Sequence, residues 1–343
     1  MAERNPITAR ARWVALAGLL AGLGLFTGLL AWQGVSEVGG ALRTAGLGLV
    51  LVALYHVLPL VADALAWWRL LPRETRPGVG QLVFCRWQGE SVNTLLPVMQ
   101  IGGPVVRARL LMRRGVPGAT AGSSVVVDVT LLVLTQMVFT VLGIVLLVAT
   151  LGTGDIVGPA VTGVSVMAVC VAIFIFLQRR GLFAAIARPL AGFAGRNGLS
   201  GVAAGAESLD RHIRALYERT DALRDSFLLH LLGWVVGTGE VWLALHFLEH
   251  PVPLLTAMLI EALGQAVRAG AFVVPGALGV QEGAFILLGR TLGIPPETAL
   301  ALSLSKRCRE LLLGVPGLVV WQLGEARNLF ASPGEDSTGR DGE

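Results

Sequence analysis

Long apolar stretches alternate with short polar ones along this chain of 343 residues. The hydrocarbon core of a bilayer is about 30 Å thick, so an apolar helix of about 20 residues crosses it. Windows of this length predict six membrane-spanning helices, at about 13–32, 46–66, 119–149, 156–177, 226–248 and 297–322. The pattern therefore predicts an all-α fold, a polytopic transmembrane helix bundle.

Two segments, 79–114 and 253–295, do not fit as simple spans. The first contains GESVNTLLPVMQIGGPVVRARLL, where polar and charged residues, prolines and glycines interrupt the apolar pattern. The second contains VVPGALGVQEG. Broken backbone is tolerated inside a bilayer only where protein or water satisfies its polar groups. We therefore expect both segments to form re-entrant hairpins.

Arginines beside the apolar windows predict the orientation of the chain. Cytoplasmic loops of membrane proteins are enriched in Lys and Arg. The loops at 33–45, 150–155 and 249–252 hold one arginine between them. The other loops and the N-terminal segment contain several, namely Arg4, Arg10, Arg12, Arg69, Arg73, Arg76, Arg107, Arg109, Arg113, Arg114, Arg179 and Arg180. This alternation predicts that both termini are cytoplasmic.

The two hairpins resemble each other at an offset of 178 residues. Pro97 corresponds to Pro275, and the tripeptide Gly-Val-Pro ending at Pro117 corresponds to Gly-Ile-Pro ending at Pro295. A long apolar helix follows each tripeptide. With the predicted orientation, the units at about 79–149 and 253–322 are inverted copies, a plan that recurs in secondary transporters. The alternative is that Pro and Gly only kink ordinary spans.

We expect residues 1–330 to form one transmembrane domain and residues 331–343 to form a disordered tail. The long cytoplasmic loop 179–225 contains apolar residues at helical spacing opposite charged ones. Such a helix either lies on the inner membrane surface or packs on the bundle.

Composition supports the membrane assignment. Hydrophobic residues make up 54% of the chain, charged residues 15%, and the mean hydropathy is +0.70. Soluble domains contain about 25% charged residues. A pI near 9.5 is compatible with nucleic-acid binding, but the arginines flank apolar windows and are explained by orientation. We therefore predict no nucleic-acid partner.

Polar side chains within the apolar part are the candidate site. A charge at the bilayer centre is costly and normally faces a cavity or a partner. The residues predicted to bind or translocate a substrate are Glu90, Asn93, Gln100, Arg107, Asp128, Arg268, Gln281, Glu282 and Lys306. Structural salt bridges between helices are the alternative at each position. No spacing predicts a catalytic residue, a metal site or a cofactor.

Asp128 and Lys306 lie at equivalent positions of the two units, about 13 Å deep at 1.5 Å per residue. Their opposite charges lead to the hypothesis that they form an ion pair or share one polar cavity.

Several of these stretches resemble the lysylphosphatidylglycerol synthase transmembrane-region, or flippase-like, superfamily over about residues 10–325. The matching stretches are GESVNTLLPVMQIGG, RARLLMRRGV, AGSSVVVD and VPGALGVQEGAF. The similarity is greatest to members associated with hopanoid biosynthesis. It implies a multi-pass protein of the bacterial inner membrane that handles lipids. Only about 20 residues follow the last span, so we expect no aminoacyl-transferase domain and no lysyl transfer.

The expected function is therefore transport of a membrane lipid, such as a hopanoid or another isoprenoid-derived or anionic lipid, between the two repeats. The alternatives are a membrane-embedded lipid-modifying enzyme and a non-transporting scaffold of a lipid-biosynthesis complex. Lipid-biosynthesis proteins, or a second copy of the chain, are the expected protein partners.

Overall fold

The computed structural model describes residues 43, 45–96, 100–152, 157–193, 200–270 and 280–330. The predicted first span at 13–32, the hairpin prolines Pro97 and Pro275, and the predicted tail at 331–343 lie outside the described residues.

The described part of the chain is helical and contains no strand. We number its twelve helices in chain order: α1 Gly48–Tyr55, α2 Val57–Leu70, α3 Val79–Leu95, α4 Gly102–Met112, α5 Gly118–Leu151, α6 Val157–Arg180, α7 Leu182–Phe193, α8 Ser200–Glu218, α9 Thr220–Phe247, α10 Leu254–Gly270, α11 Val280–Thr291 and α12 Pro296–Phe330.

Four stretches are long and apolar enough to cross a membrane: Gly48–Leu70, Gly118–Thr150, Val161–Arg180 and Thr220–Phe247. They correspond to four of the six predicted windows. The window at 297–322 lies in α12, a helix of 35 residues. It carries four charged residues between positions 306 and 310 and is not among these four stretches. The described part of the chain is thus all-helical, and its apolar stretches are those of a multi-pass membrane protein.

The polar segment at 79–114 folds into the paired helices α3 and α4. Asn93 holds them together, because its Oδ1 accepts from the Gly103 amide at 2.7 Å and its Nδ2 donates to the Gln100 carbonyl at 3.3 Å. A Cβ on Gly89 would lie 2.6 Å from Arg107 Cγ, so only glycine fits there. The segment at 253–295 similarly forms α10 and α11, where Gly264 packs closely on Phe285.

The loop at 179–225 forms α7 and α8, and α8 packs on the bundle. Ile213 and Leu216 are buried in a cluster with Leu70, Val127 and Leu131. The apolar side of α8 thus covers α2 and α5, as the second of the two sequence alternatives expected.

Two helical stretches, α1–α2 and α9, pack side by side and run antiparallel. The Tyr55 hydroxyl donates to the Val236 carbonyl at 2.9 Å, and Gly239 lies directly against the Tyr55 ring. Near the other end of α2, a Cβ on Gly233 would lie 3.6 Å from Ala62 Cβ. Small residues let the two backbones approach closely, as is usual in membranes.

Proline explains the break between α1 and α2. Pro59 has no amide hydrogen to donate to the Tyr55 carbonyl four residues earlier, and its ring crowds that carbonyl. The break falls at His56, whose backbone stays helical. The kink therefore positions His56 within an otherwise apolar span.

Candidate functional site

Two groups of charged side chains lie inside the bundle. The first, the Asp128 cluster, consists of Asp63 on α2, Arg86 on α3, Arg107 on α4, Asp128 on α5 and His230 on α9. Five helices thus meet at one polar centre.

Asp128 is the centre of this cluster and is fully buried. Its Oδ2 accepts from Arg107 at 2.7 Å and from Arg86 at 3.1 Å. Its Oδ1 lies 3.0 Å from His230 Nε2. Arg107 also stacks on Trp67, 5.0 Å from the ring centroid. A buried charge is tolerable only with this degree of pairing, so Arg107 and Asp128 hold four helices together.

Asp63 closes the cluster on its other side. One oxygen accepts from Arg86 at 2.8 Å, and the other lies 2.7 Å from His230 Nδ1. The His230 ring is therefore held between two carboxylates.

The second group, the Lys306 network, joins α2, α3, α9, α10, α11 and α12. Its members are His56, Glu90, Glu240, Glu261, Arg268, Glu282, Lys306, Arg307, Arg309 and Glu310.

Lys306 occupies the middle of this network. Its Nζ donates to Glu261 at 2.7 Å and lies 3.6 Å from Glu240. Glu240 in turn lies 2.8 Å from His56 Nδ1, and Glu90 lies 3.0 Å from His56 Nε2. His56, like His230, is held between two carboxylates.

The network extends through α12 to the second hairpin. Glu310 pairs with Arg268 at 2.5 Å and with Arg309 at 3.5 Å. Arg307 pairs with Glu282 at 3.3 Å. Ser303 donates to Glu282 and accepts from the Gln281 amide, both at 3.1 Å.

Glu90 opens the Lys306 network to a pocket of about 300 Å³, its mouth included, between α2, α3 and α12. His56, Glu90, Arg309 and Glu310 line it together with apolar groups such as Trp87. The Glu90 side chain is 41% exposed, whereas that of Glu240 is 4% exposed. A polar group that enters the pocket therefore meets Glu90 first.

The structure sorts the nine predicted site residues into three groups. Five belong to or contact the Lys306 network: Glu90, Arg268, Gln281, Glu282 and Lys306. Two belong to the Asp128 cluster, namely Arg107 and Asp128. Asn93 and Gln100 are brought into neither. Asn93 fastens the hairpin, and Gln100 occupies its exposed turn with a φ of 62°.

The predicted ion pair between Asp128 and Lys306 is wrong. Asp128 is paired with Arg86 and Arg107, whereas Lys306 is paired with Glu261. Equal predicted depth and matching positions in a predicted repeat do not make two residues neighbours, because they do not fix how far apart the two helices lie or which way each side chain points.

Sequence reasoning missed both histidines that connect the buried carboxylates. His56 and His230 lie inside predicted apolar windows. A usable signal was present on α1–α2, where Asp63 follows His56 by seven residues and shares its helix face. The nine predicted site residues also do not include the other charged members of the two groups, namely Asp63, Arg86, Glu240, Glu261, Arg307, Arg309 and Glu310.

A second pocket, the arginine pocket, lies beyond the end of α2 and holds about 1120 Å³ of empty space, its mouth included. Its lining contains Trp68, four arginines and three acidic residues, namely Arg69, Arg73, Arg76, Arg219, Glu74, Asp221 and Asp225. Arg76 stacks on Trp68 with its Cζ 4.0 Å from the ring centroid. Burial, followed by the positive charges of Arg219, Arg73 and Arg69, lowers the pKa of Arg76. The charged side chains of the lining thus carry one net positive charge, four arginines against three acidic residues.

One comparison with known proteins identifies a family. The lysylphosphatidylglycerol synthase TM region matches residues 19–317. No curated protein and no solved structure matches the chain. The matched range includes every residue of the Asp128 cluster and of the Lys306 network. The chain therefore belongs to the family of the lysylphosphatidylglycerol synthase transmembrane region.

Proposed function

We propose that this protein is a transporter of the bacterial inner membrane that moves a lipid across or out of that membrane. The lipid class is anionic or isoprenoid-derived, for example a hopanoid. The observation that carries the proposal is the Lys306 network, which links α3 to the second hairpin and exposes Glu90 to a pocket. Intramembrane ionisable groups of this kind mark substrate or ion pathways.

The second part of the proposal is an internal repeat within one transmembrane domain of about residues 1–330. Adding 178 to the first residue of α5 gives 296, where α12 begins. Adding 178 to the last residue of α4 gives 290, and α11 ends at Thr291. The spacing of helices, and not only of prolines, supports the repeat.

Matching turns support it further. Gly115 and Gly293 have φ angles of 84° and 74°. The amide after each glycine donates to a carbonyl five residues earlier, Val116 to Leu111 at 3.3 Å and Ile294 to Gly289 at 2.8 Å. Both turns are the glycine cap that commonly ends a helix.

The antiparallel packing of α1–α2 against α9 supports the inversion of one repeat relative to the other. The offset of 178 carries Gly48–Leu70 onto residues 226–248, nearly all of which lie in α9. Because α1–α2 and α9 run in opposite directions, a repeat that contains one is upside down relative to a repeat that contains the other. Inverted repeats provide alternating access by rocking about a central site.

The lengths of the hairpin helices support re-entry. The 17 residues of α3 reach about 25 Å, and the 11 residues of α4 about 16 Å. Neither length covers a hydrocarbon core of about 30 Å. Both termini are proposed to be cytoplasmic, and the arginine pocket then lies at the inner headgroup level, where it attracts an anionic headgroup.

The test uses purified protein in liposomes with fluorescently labelled phosphatidylglycerol, phosphatidylcholine or a labelled hopanoid. We expect the protein to move the anionic lipid or the hopanoid between leaflets, without chemical change and faster than phosphatidylcholine. Glu90→Gln should slow this movement at least tenfold, and Glu218→Gln, an exposed control on α8, should not. A chemically altered lipid would show that the protein is a lipid-modifying enzyme and not a transporter. Absence of both movement and alteration would leave the scaffold role.

A further inference from the structure

The two buried histidines are equivalent in one respect: each bridges two carboxylates of different helices. His230 lies between Asp63 and Asp128, at 2.7 and 3.0 Å. His56 lies between Glu240 and Glu90, at 2.8 and 3.0 Å. Every one of these four distances is that of a hydrogen bond.

The two carboxylates of each bridge are both satisfied only when both ring nitrogens carry a proton. A carboxylate only accepts hydrogen bonds, and a neutral imidazole has one donor nitrogen and one acceptor nitrogen. With a neutral ring, one carboxylate in each bridge faces a lone pair and is repelled. A histidine in either bridge is therefore favoured by its carboxylates to carry an extra proton.

The carboxylates of the two bridges favour one extra proton on each histidine, but the net charge of the buried groups favours only one extra proton in total. The Asp128 cluster contains two carboxylates and two guanidinium groups, so it is neutral before its histidine is charged. The Lys306 network contains five carboxylates and four basic side chains besides His56. Together these described residues carry one net negative charge. A single proton makes the buried set neutral, and a second leaves a net positive charge where burial is costly.

Arg309 adds to the competition at His56. Its Nη1 lies 2.7 Å from His56 Nδ1 and 2.9 Å from Nε2. A guanidinium group only donates hydrogen bonds, so Arg309 favours a ring nitrogen without a proton, whereas Glu90 and Glu240 favour one with a proton. His230 has Asp63 and Asp128 beside it, and their charges are already balanced by Arg86 and Arg107. At each histidine, therefore, two carboxylates favour protonation of the ring and nearby arginines oppose it.

The same three helical stretches connect both bridges. α1–α2 carries His56 and Asp63, seven residues or about 10 Å apart along the helix. α3 carries Arg86 and Glu90 one turn apart, and α9 carries both His230 and Glu240. A tilt of one helix thus changes the distances in both bridges.

We propose that His56 and His230 are alternative sites for one exchangeable proton, and that this proton is the ion coupled to lipid movement. The coupling rests on the proposed transport function, whereas the sharing of one proton does not. The proton enters at the pocket, where Glu90 is exposed beside His56. It passes between the two sites when the helices that carry both bridges move.

Nitrogen NMR of protein labelled with ¹⁵N-histidine tests the sharing directly, because imidazolium and imidazole nitrogens have different shifts. We expect the two buried rings to hold about one extra proton in total near pH 7. His56→Gln should then convert His230 fully to imidazolium, and His230→Gln should do the same to His56. His212→Gln, on the exposed face of α8, should change neither. Rings that titrate independently, or that are both charged or both neutral in the unmodified protein from pH 5 to 9, would overturn the proposal.

Transport of labelled phosphatidylglycerol in liposomes with a pH difference tests the coupling. Reversing the pH difference should change the initial rate of movement at least threefold, and His230→Gln should abolish this effect. Movement that ignores the pH difference would refute the coupling but leave transport intact. If no lipid moves under any pH difference, the proposed function fails, and the NMR result still decides whether the proton is shared.

Discussion

Asp128 and Glu90 show that two carboxylates in one bundle have different roles. Asp128 is fully buried and accepts from two guanidinium groups, so its charge organises four helices. Glu90 is 41% exposed and bonded to one histidine, so it is available to a ligand. Exposure separates a residue that holds the fold from one that can exchange partners.

Replacing Asp128 should therefore reduce stability, and replacing Glu90 should not. Asp128→Asn leaves the buried Arg107 guanidinium without its carboxylate and leaves Arg86 with Asp63 alone, a change that costs about 3–5 kcal/mol. For Glu90→Gln we expect about 1 kcal/mol or less, as for an exposed ion pair. Thermal unfolding in detergent, followed by tryptophan fluorescence, measures both. Equal losses in the two variants would contradict the distinction.

The backbone of two glycines is a further residue-scale constraint. Gly115 and Gly293 have positive φ, and a Cβ at either would meet no atom within 4 Å. Alanine there should cost about 1–2 kcal/mol through conformation alone. Gly80→Ala on α3 is the control, because its Cβ also meets nothing and its helix favours alanine over glycine by about 1 kcal/mol. Unfolding in detergent measures the stability of all three variants. If Gly80→Ala is less stable than the other two, the positive φ is not the cause of their loss of stability.

At the scale of elements, the sequence predicted which segments are helices better than which helices are neighbours. Apolar windows locate α5, α6 and α9 because length and hydropathy are local properties. The partners of Asp128 could not be predicted in this way. They come from three other helices, and their identity depends on the rotation of each helix about its axis. The hairpin helix pairs were predictable, because short connections force antiparallel neighbours.

The first hairpin should enter and leave the membrane on one side. Single cysteines at Gln81 and Met112, after replacement of the free Cys85, Cys170 and Cys308, report this. Both positions are exposed, so a membrane-impermeant maleimide should label both from the cytoplasmic side of oriented vesicles. Labelling of the two positions from opposite sides would eliminate the re-entrant hairpin and, with it, the inverted repeat.

At the scale of the whole molecule, the antiparallel contact of α1–α2 with α9 is central, because these two stretches carry the bridging histidines His56 and His230. If the proposed repeats rock during transport, α2 and α9 belong to different repeats and move against each other, so a cross-link between them should stop the motion. Gly233 and Ala62 offer a direct means, because their Cβ positions would be 3.6 Å apart. This separation is within the range of a disulfide bond.

The double variant Ala62→Cys, Gly233→Cys should form a disulfide on mild oxidation and lose lipid movement. Reduction should restore the movement. Gly233→Cys alone is the control for crowding of Asp63, whose Oδ1 would lie 3.1 Å from the new Cβ. A disulfide that forms fully and leaves transport unchanged would show that α2 and α9 do not move against each other.

The charged segment of α12 has a consequence for how the protein is made. Lys306, Arg307, Arg309 and Glu310 make this helix costly to place in lipid by itself. Glu240 and Glu261, which neutralise its lysine, come earlier in the chain and are synthesised first. The last long helix therefore meets its counter-charges already in the bilayer during translation. If α12 spans the membrane as the sequence predicts, its insertion is a step of tertiary folding rather than a response to its own hydrophobicity.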